Sequence, residues 1–144
     1  MSSFDADKAL TEYLSANFTA APLYFENEEA DPPSSSDLGA ATRWIYIEIE
    51  SAEDEQQSIG AGEPLENLWR EEGTLTATVL VPVGEGVAEG KKLRDLLADK
   101  LRGHTIGGVV VRGINRSPGG PWEGDDGRGR WWALPLTVYW HMDH

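Results

Sequence analysis

At 144 residues, 40% of them hydrophobic, the chain has the length of one domain with one core, and residues 1–144 read as a single unit. The absence of cysteine excludes disulfides and thiolate metal sites. The net charge of −13 is unevenly spread: residues 1–86 hold 18 acidic side chains against Lys8, Arg43 and Arg70, whereas residues 87–144 hold nine basic against seven acidic ones. Nucleic-acid backbones are bound through a basic face that releases counterions, and the first part cannot supply one. The amino-terminal stretch MSSFDADKAL is acidic where a secretory leader is basic, and no segment approaches the about 18 apolar residues of a membrane span, so synthesis in the cytosol without membrane contact is expected.

Residues 4–17 predict a helix, with Ala6, Leu10, Tyr13, Leu14 and Phe18 forming one apolar stripe. Ser2 or Ser3 suits the cap, Asp5 and Asp7 suit the positive end of the dipole, and Pro22 ends the segment. Residues 22–26 (PLYFE) predict a short strand, and residues 27–41 a polar loop. In residues 43–50 (RWIYIEIE), Ile45, Ile47 and Ile49 alternate with Trp44, Tyr46, Glu48 and Glu50, so one face is core and the other is exposed for at least half its length. Residues 51–66 are acidic, polar and too poor in apolar groups to order alone.

Residues 68–83 resume extended structure, with Leu75, Ala77, Val79 and Val81 alternating with Thr74, Thr76, Thr78 and Leu80. A second helix is predicted from about Gly86 to Arg102, with Leu93, Leu96, Leu97 and Leu101 as its buried stripe and Gly103 just past its end. Residues 107–114 (GGVVVRGI) predict a strand, 115–129 a turn-rich loop and 130–142 a last strand. Pro135 in that last strand has no N–H to donate, which predicts an edge position or a bulge. Consecutive strands without intervening helices predict an α+β fold: a largely antiparallel sheet, two helices packed on one face, and an extended β-ribbon.

Catalytic and ligand motifs fail on their own chemistry. In the segment 84–92, Glu85 stands where a phosphate-binding loop needs its first glycine and Lys92 where it needs a hydroxyl. Glu89 replaces the third glycine of a dinucleotide fingerprint, and the two glutamates repel a pyrophosphate. His141 and His144 point to opposite sides of a strand at an end expected to fray, and His104 is the only other histidine, so zinc lacks ligands. Asp125-Asp126-Gly127 lacks calcium-loop spacing. No nucleophile elbow or catalytic constellation stands out, and a non-enzymatic role is expected.

Six tryptophans are many for this length. Trp131 and Trp132 are adjacent on a strand and face opposite sides, so both cannot fill one core, and at least one is expected to be exposed or covered by a partner. Indoles are favoured interface anchors, which nominates Trp69, Arg70, Trp122, Trp131 and Trp132 as a subunit interface; the alternative is that the loop indoles fold back over the edge of the core. The ribbon, unstable alone in water, is expected to lie against a neighbouring subunit in a head-to-tail, ring-closing contact.

These features together resemble the tail terminator, or tail completion, proteins of long-tailed phages and gene transfer agents. The likeness rests on the amphipathic first helix, PLYFEN with its polar loop, TRWIYIEI, the strand GTLTATVLVPVGEG and the helix LRDLLADKL, covering about residues 4–114. Its most specific part is residues 70–101, where a strand ends in Pro-x-Gly-x-Gly and runs into a helix. The resemblance implies a structural virion protein, assembled in the host cytoplasm, that forms a homo-hexameric ring. Such a ring caps the tail tube, ends its polymerisation and offers the surface to which head–tail connector or neck proteins attach. It implies no cofactor and no catalytic residues. Glu53, Asp54, Glu55, Glu63 and Glu66 would then form an acidic pore or loop past which DNA travels without specific binding. A neck protein of the same particle, or a small ligand-binding or enzymatic α+β domain, are the other readings.

Overall fold

The computed structural model describes residues 3–26, 43–56, 68–84, 86–122 and 131–144. Helix α1 spans Phe4–Asn17 and buries Ala6, Leu10 and Leu14. Ser3 is its cap, accepting the Ala6 N–H at 3.3 Å. Helix α2 spans Ala88–Leu101 and ends where Gly103 takes a positive φ of 76°. Its buried stripe is Gly90, Arg94, Leu97, Ala98 and Leu101 rather than the four leucines expected. Leu93 is half-buried, and Leu96 is 50% exposed because it sits about 100° around the helix from Leu97, off the stripe.

Among the described residues seven strands form one sheet: β1 (Leu23–Phe25), β2 (Trp44–Gln56), β3 (Trp69–Pro82), β4 (Thr105–Ile106), β5 (Val109–Arg116), β6 (Gly120–Pro121) and β7 (Trp131–Asp143). The order across the sheet is β1-β2-β3-β7-β5-β4, with β6 pairing β7. Among these described strands only β1 and β2 run parallel; every other pair is antiparallel. The fold is therefore α+β with a largely antiparallel sheet and both helices on one face.

Four expectations are corrected by this topology. The acidic residues 51–56 are not loop but the end of β2, ordered against β3 from Glu53↔Glu72 to Gln56↔Trp69 after a bulge at Ala52. The β2–β3 ribbon does not project from the protomer, because β7 pairs the other edge of β3 from Arg70↔Asp143 to Pro82↔Trp131. Residues 107–114 are not one strand. Gly107 and Gly108, at φ 55° and 90°, make the two-residue turn of a β4–β5 hairpin. Finally, β7 is interior rather than an edge, and the alternative expectation, an irregularity at Pro135, is met: residues 117–119 face only residues 134–135 of β7. Pro135 is tolerated there because its carbonyl accepts from Ser117 N, so its donorless nitrogen points to that same side, into the gap between the Arg116↔Leu136 and Gly120↔Ala133 pairs.

The sheet buries residues on both faces. Under the helices lies the main core, built from the inward residues of β2, β3, β5 and β7, including Ile47, Leu75, Leu136 and Trp140. On the opposite face Trp44, Leu80, Trp131 and Ala133 make a second cluster, with Tyr24, Tyr46 and Trp122 packed against it. That face carries no helix among the described residues.

Candidate assembly surface

The indoles nominated as interface anchors separate into distinct environments. Trp131 is 2% exposed, with its ring 5.7 Å from that of Trp44 in an edge-to-face contact, and is spent on the second cluster of its own protomer. Trp132 points the other way and packs half-buried against the main core. Each face of the sheet has its own cluster, so the two indoles pack on different clusters of one chain; Trp131 is fully used there, while Trp132 keeps part of its surface exposed. Trp122 is half-buried, edge-on to Trp44 at 6.4 Å and to Tyr46 at 6.1 Å, so this loop indole folds back over the protomer. Trp69 is half-buried at the start of β3, its backbone exchanging hydrogen bonds with His144 (N–H···O at 3.3 Å, O···H–N at 2.7 Å). Arg70 donates from Nε and Nη2 to Asp143 at 2.7 and 3.0 Å, which holds the Asp143 carboxyl below the usual carboxylate range. Trp69, Arg70 and Asp143 thus lie together at one end of the sheet, while Trp122, Trp131 and Trp132 lie at the other.

Of the acidic set, Asp54 and Glu55 are exposed on the last residues of β2, and the Glu53 backbone lies in the same strand opposite Glu72. Glu63 and Glu66 lie outside the described residues.

Glu71 is a site residue with no place among those expectations. It shares the inward phase of Gly73, Leu75 and Ala77, and a carboxylate in a core phase is the signal by which the sequence could have revealed it. Only 2% exposed, it accepts the Ser3 N–H at 2.8 Å and the Ser3 hydroxyl at 2.6 Å, and the His144 ring lies 3.3 Å away. Burial pushes this carboxyl up, but the bonds from Ser3 and then His144 outweigh burial and hold it below its ordinary value. One carboxylate thereby ties the start of α1 and the end of β7 to β3. The carboxy-terminal residues expected to fray are held. His144 turns toward Glu71 while His141 shares the opposite side of the sheet with Glu72.

A second buried charge, Arg94, closes the gap at Pro135. Its Nη1 donates to the carbonyls of Ser117 at 3.0 Å and Pro135 at 3.2 Å, supplying donors to a ladder that the proline interrupts. Both Glu71 and Arg94 are therefore framework groups, and no group of three or more His, Asp or Glu side chains gathers for a metal among the described residues. Nor is any described helix long and apolar enough to cross a membrane.

No family model matches the chain, and no curated protein matches it. Among solved structures 24 chains match. One of them superposes on 96% of this chain and 90% of its own length with a TM-score of 0.55 at 19% identity, a likeness of fold alone.

Proposed function

We propose that this chain is a structural subunit of a phage-type particle, which assembles into a ring that caps the tail tube, stops tube polymerisation and presents the head-attachment surface. The observation that carries the reading is the passage from β3 into α2. A 14-residue strand ends at Pro82, turns through Gly84 and Gly86 at positive φ, and enters α2 directly, in the order and setting of the family resembled. An α+β fold with both helices on one face agrees with this reading. In it the protein works without chemistry: one ring surface matches the tube end, and the other lacks the groups that would recruit a further tube ring. The exposed carboxylates Asp54 and Glu55 then keep passing DNA unbound by repelling phosphate.

The test is removal of the gene, with electron microscopy of the resulting particles. Tails of uncontrolled length without heads are expected, together with binding of the purified chain to the tail tube subunit of the same particle. Tails of normal length joined to heads would overturn the proposal. Binding to portal-side adaptors but not to the tube would move the chain to the neck.

A further inference from the structure

Trp44, Tyr46, Glu48 and Glu50 alternate with the core isoleucines of β2, so they leave the strand on the face away from the helices. That face carries no helix and no second sheet among the described residues. At its aromatic end the rings meet edge to face: Tyr24 on Trp44 at 5.5 Å, and Trp122 on both Trp44 and Tyr46 at 6.4 and 6.1 Å. Tyr24, Tyr46 and Trp122 are only half-buried, and the Trp44 indole N–H, in a residue 3% exposed, has no acceptor. Next along β2 stand carboxylates. Glu26 joins them by accepting the Ile49 N–H at 3.1 Å; Glu26 and Glu50 are exposed, and Glu48 is half-buried. Burial first, then Glu26 and Glu50, push the Glu48 carboxyl up, while burial first, then Glu48 and Glu26, push the Tyr46 hydroxyl up. No cation is among the groups acting on either, and neither Glu48 nor Glu50 has an ion-pair partner among the described residues. Cations elsewhere are already matched: Arg70, Arg102, Arg112 and Arg116 each pair with another carboxylate.

We infer that this face binds a basic segment of a protein partner, an arginine side chain lying on the Tyr46 and Trp122 rings with its guanidinium held by Glu48 and Glu50. The carboxylates are uncompensated within the protomer, so complementarity fixes the sign of what they bind. They do not gather closely enough for a metal ion, which leaves an organic cation. The rings beside them select the guanidinium, which stacks on an aromatic face and forks to a carboxylate, whereas an ammonium is a compact, strongly hydrated charge. The Trp44 N–H without an acceptor favours a peptide over a free amine, because a peptide brings main-chain carbonyls. An extended segment places alternate side chains about 7 Å apart on one side, the spacing at which Tyr46, Glu48 and Glu50 succeed one another along β2. Solubility alone does not require the middle carboxylate to be half-buried between two others, against its own ionisation. The inference goes beyond the capping role and does not rest on it.

Fluorescence polarisation tests it with the purified chain and a dye-labelled peptide of arginines alternating with glycines, at about 0.05 M salt. Saturable binding is expected below about 1 mM, weaker with lysine in place of arginine and lost with neutral citrulline. Glu48→Gln with Glu50→Gln should weaken it by about tenfold or more. Tyr46→Leu, which leaves the charge unchanged, should weaken it by about threefold or more. Any acidic protein attracts a basic peptide, so the control is Asp5→Asn with Glu12→Gln, exposed on α1 across the sheet, which should change binding by less than about twofold. Circular dichroism checks folding, and Trp122→Leu serves if Tyr46→Leu fails to fold. No binding at about 1 mM, equal binding of the lysine or citrulline peptide, or an equal loss from the α1 control would overturn the inference. So would folded ring variants that bind like the wild type. Tube binding and tail length read the capping role separately, so either idea can fail alone.

Discussion

Gly73 is the most tightly enclosed glycine among the described residues, and replacing it by alanine tests how the two long strands are packed. A Cβ there would lie 2.3 Å from the Glu50 carbonyl oxygen and 2.3 Å from Trp140 Cζ2, against ordinary contact of 3.4 Å or more. Neither neighbour has room to yield: one is the backbone of β2, and the other is an indole with no exposed surface. In an open strand, exchanging glycine for alanine stabilises by roughly 0.5–1 kcal/mol through lost chain freedom. Overpacking costs about 1–3 kcal/mol and here acts on both sides, so the net expectation is a loss of about 2 kcal/mol. In thermal unfolding that is a fall of about 4–8 °C in Tm. Urea unfolding followed by tryptophan fluorescence should give a lower midpoint at unchanged slope. Gly120, whose Cβ would meet nothing within 4 Å, is the control, and Gly120→Ala should stay within about 0.5 kcal/mol of wild type. With Trp140→Phe in the background the Gly73 penalty should shrink, since the colliding ring is smaller. A Gly73→Ala protein as stable as wild type would refute this account of β3–β7 packing.

Glu71 is held below its ordinary pKa, so its contribution to stability is complete above the unfolded carboxylate value of about 4.3 and disappears as pH falls through the lower folded value. Glu71→Gln should therefore be the less stable protein at pH 7 and lose less on acidification, with equal pH profiles counting against the clasp. Replacing Arg94 by methionine removes the donor of the Ser117 carbonyl and leaves the Pro135 carbonyl with the Ser117 N–H alone, and urea unfolding should report a loss of about 1.5–3 kcal/mol. Trp131→Ala should cost about 3–5 kcal/mol and Trp122→Ala, with a half-buried ring, clearly less. Equal costs would mean that Trp131 is not spent on its own protomer.

Local periodicity carried most of the elements. The 3.6-residue spacing from Ala6 to Phe18 marked α1 to the residue, and the alternation of Ile45, Ile47 and Ile49 found the core face of β2, whereas its other face, expected to be exposed for at least half its length, buries Trp44 and half-buries Tyr46 and Glu48. Where the pattern was degenerate it misled. Four leucines within nine residues of α2 drew the stripe through Leu96, although the helix buries Arg94 instead. Acidic composition made residues 51–56 read as loop, because a strand templated by a neighbour needs no apolar alternation of its own. At the candidate surface the indoles were legible as a surplus, but not their partition between two clusters, since Trp131 and Trp132 have the same chemistry and differ only in which face of β7 they leave.

What residues 1–144 determined by themselves is the alphabet of the fold: which segments coil, which extend, which faces are apolar, and that negative charge gathers in the first 86 positions. These follow from contacts and charges a few residues apart. Which strand lies beside which was settled by long-range pairing alone. The insertion of β7 between β3 and β5 put β3 inside the sheet, gave Pro135 its gap, and brought Ser3 and His144, from opposite ends of the sequence, to Glu71. It also placed β2 and β5 on opposite sides of the sheet.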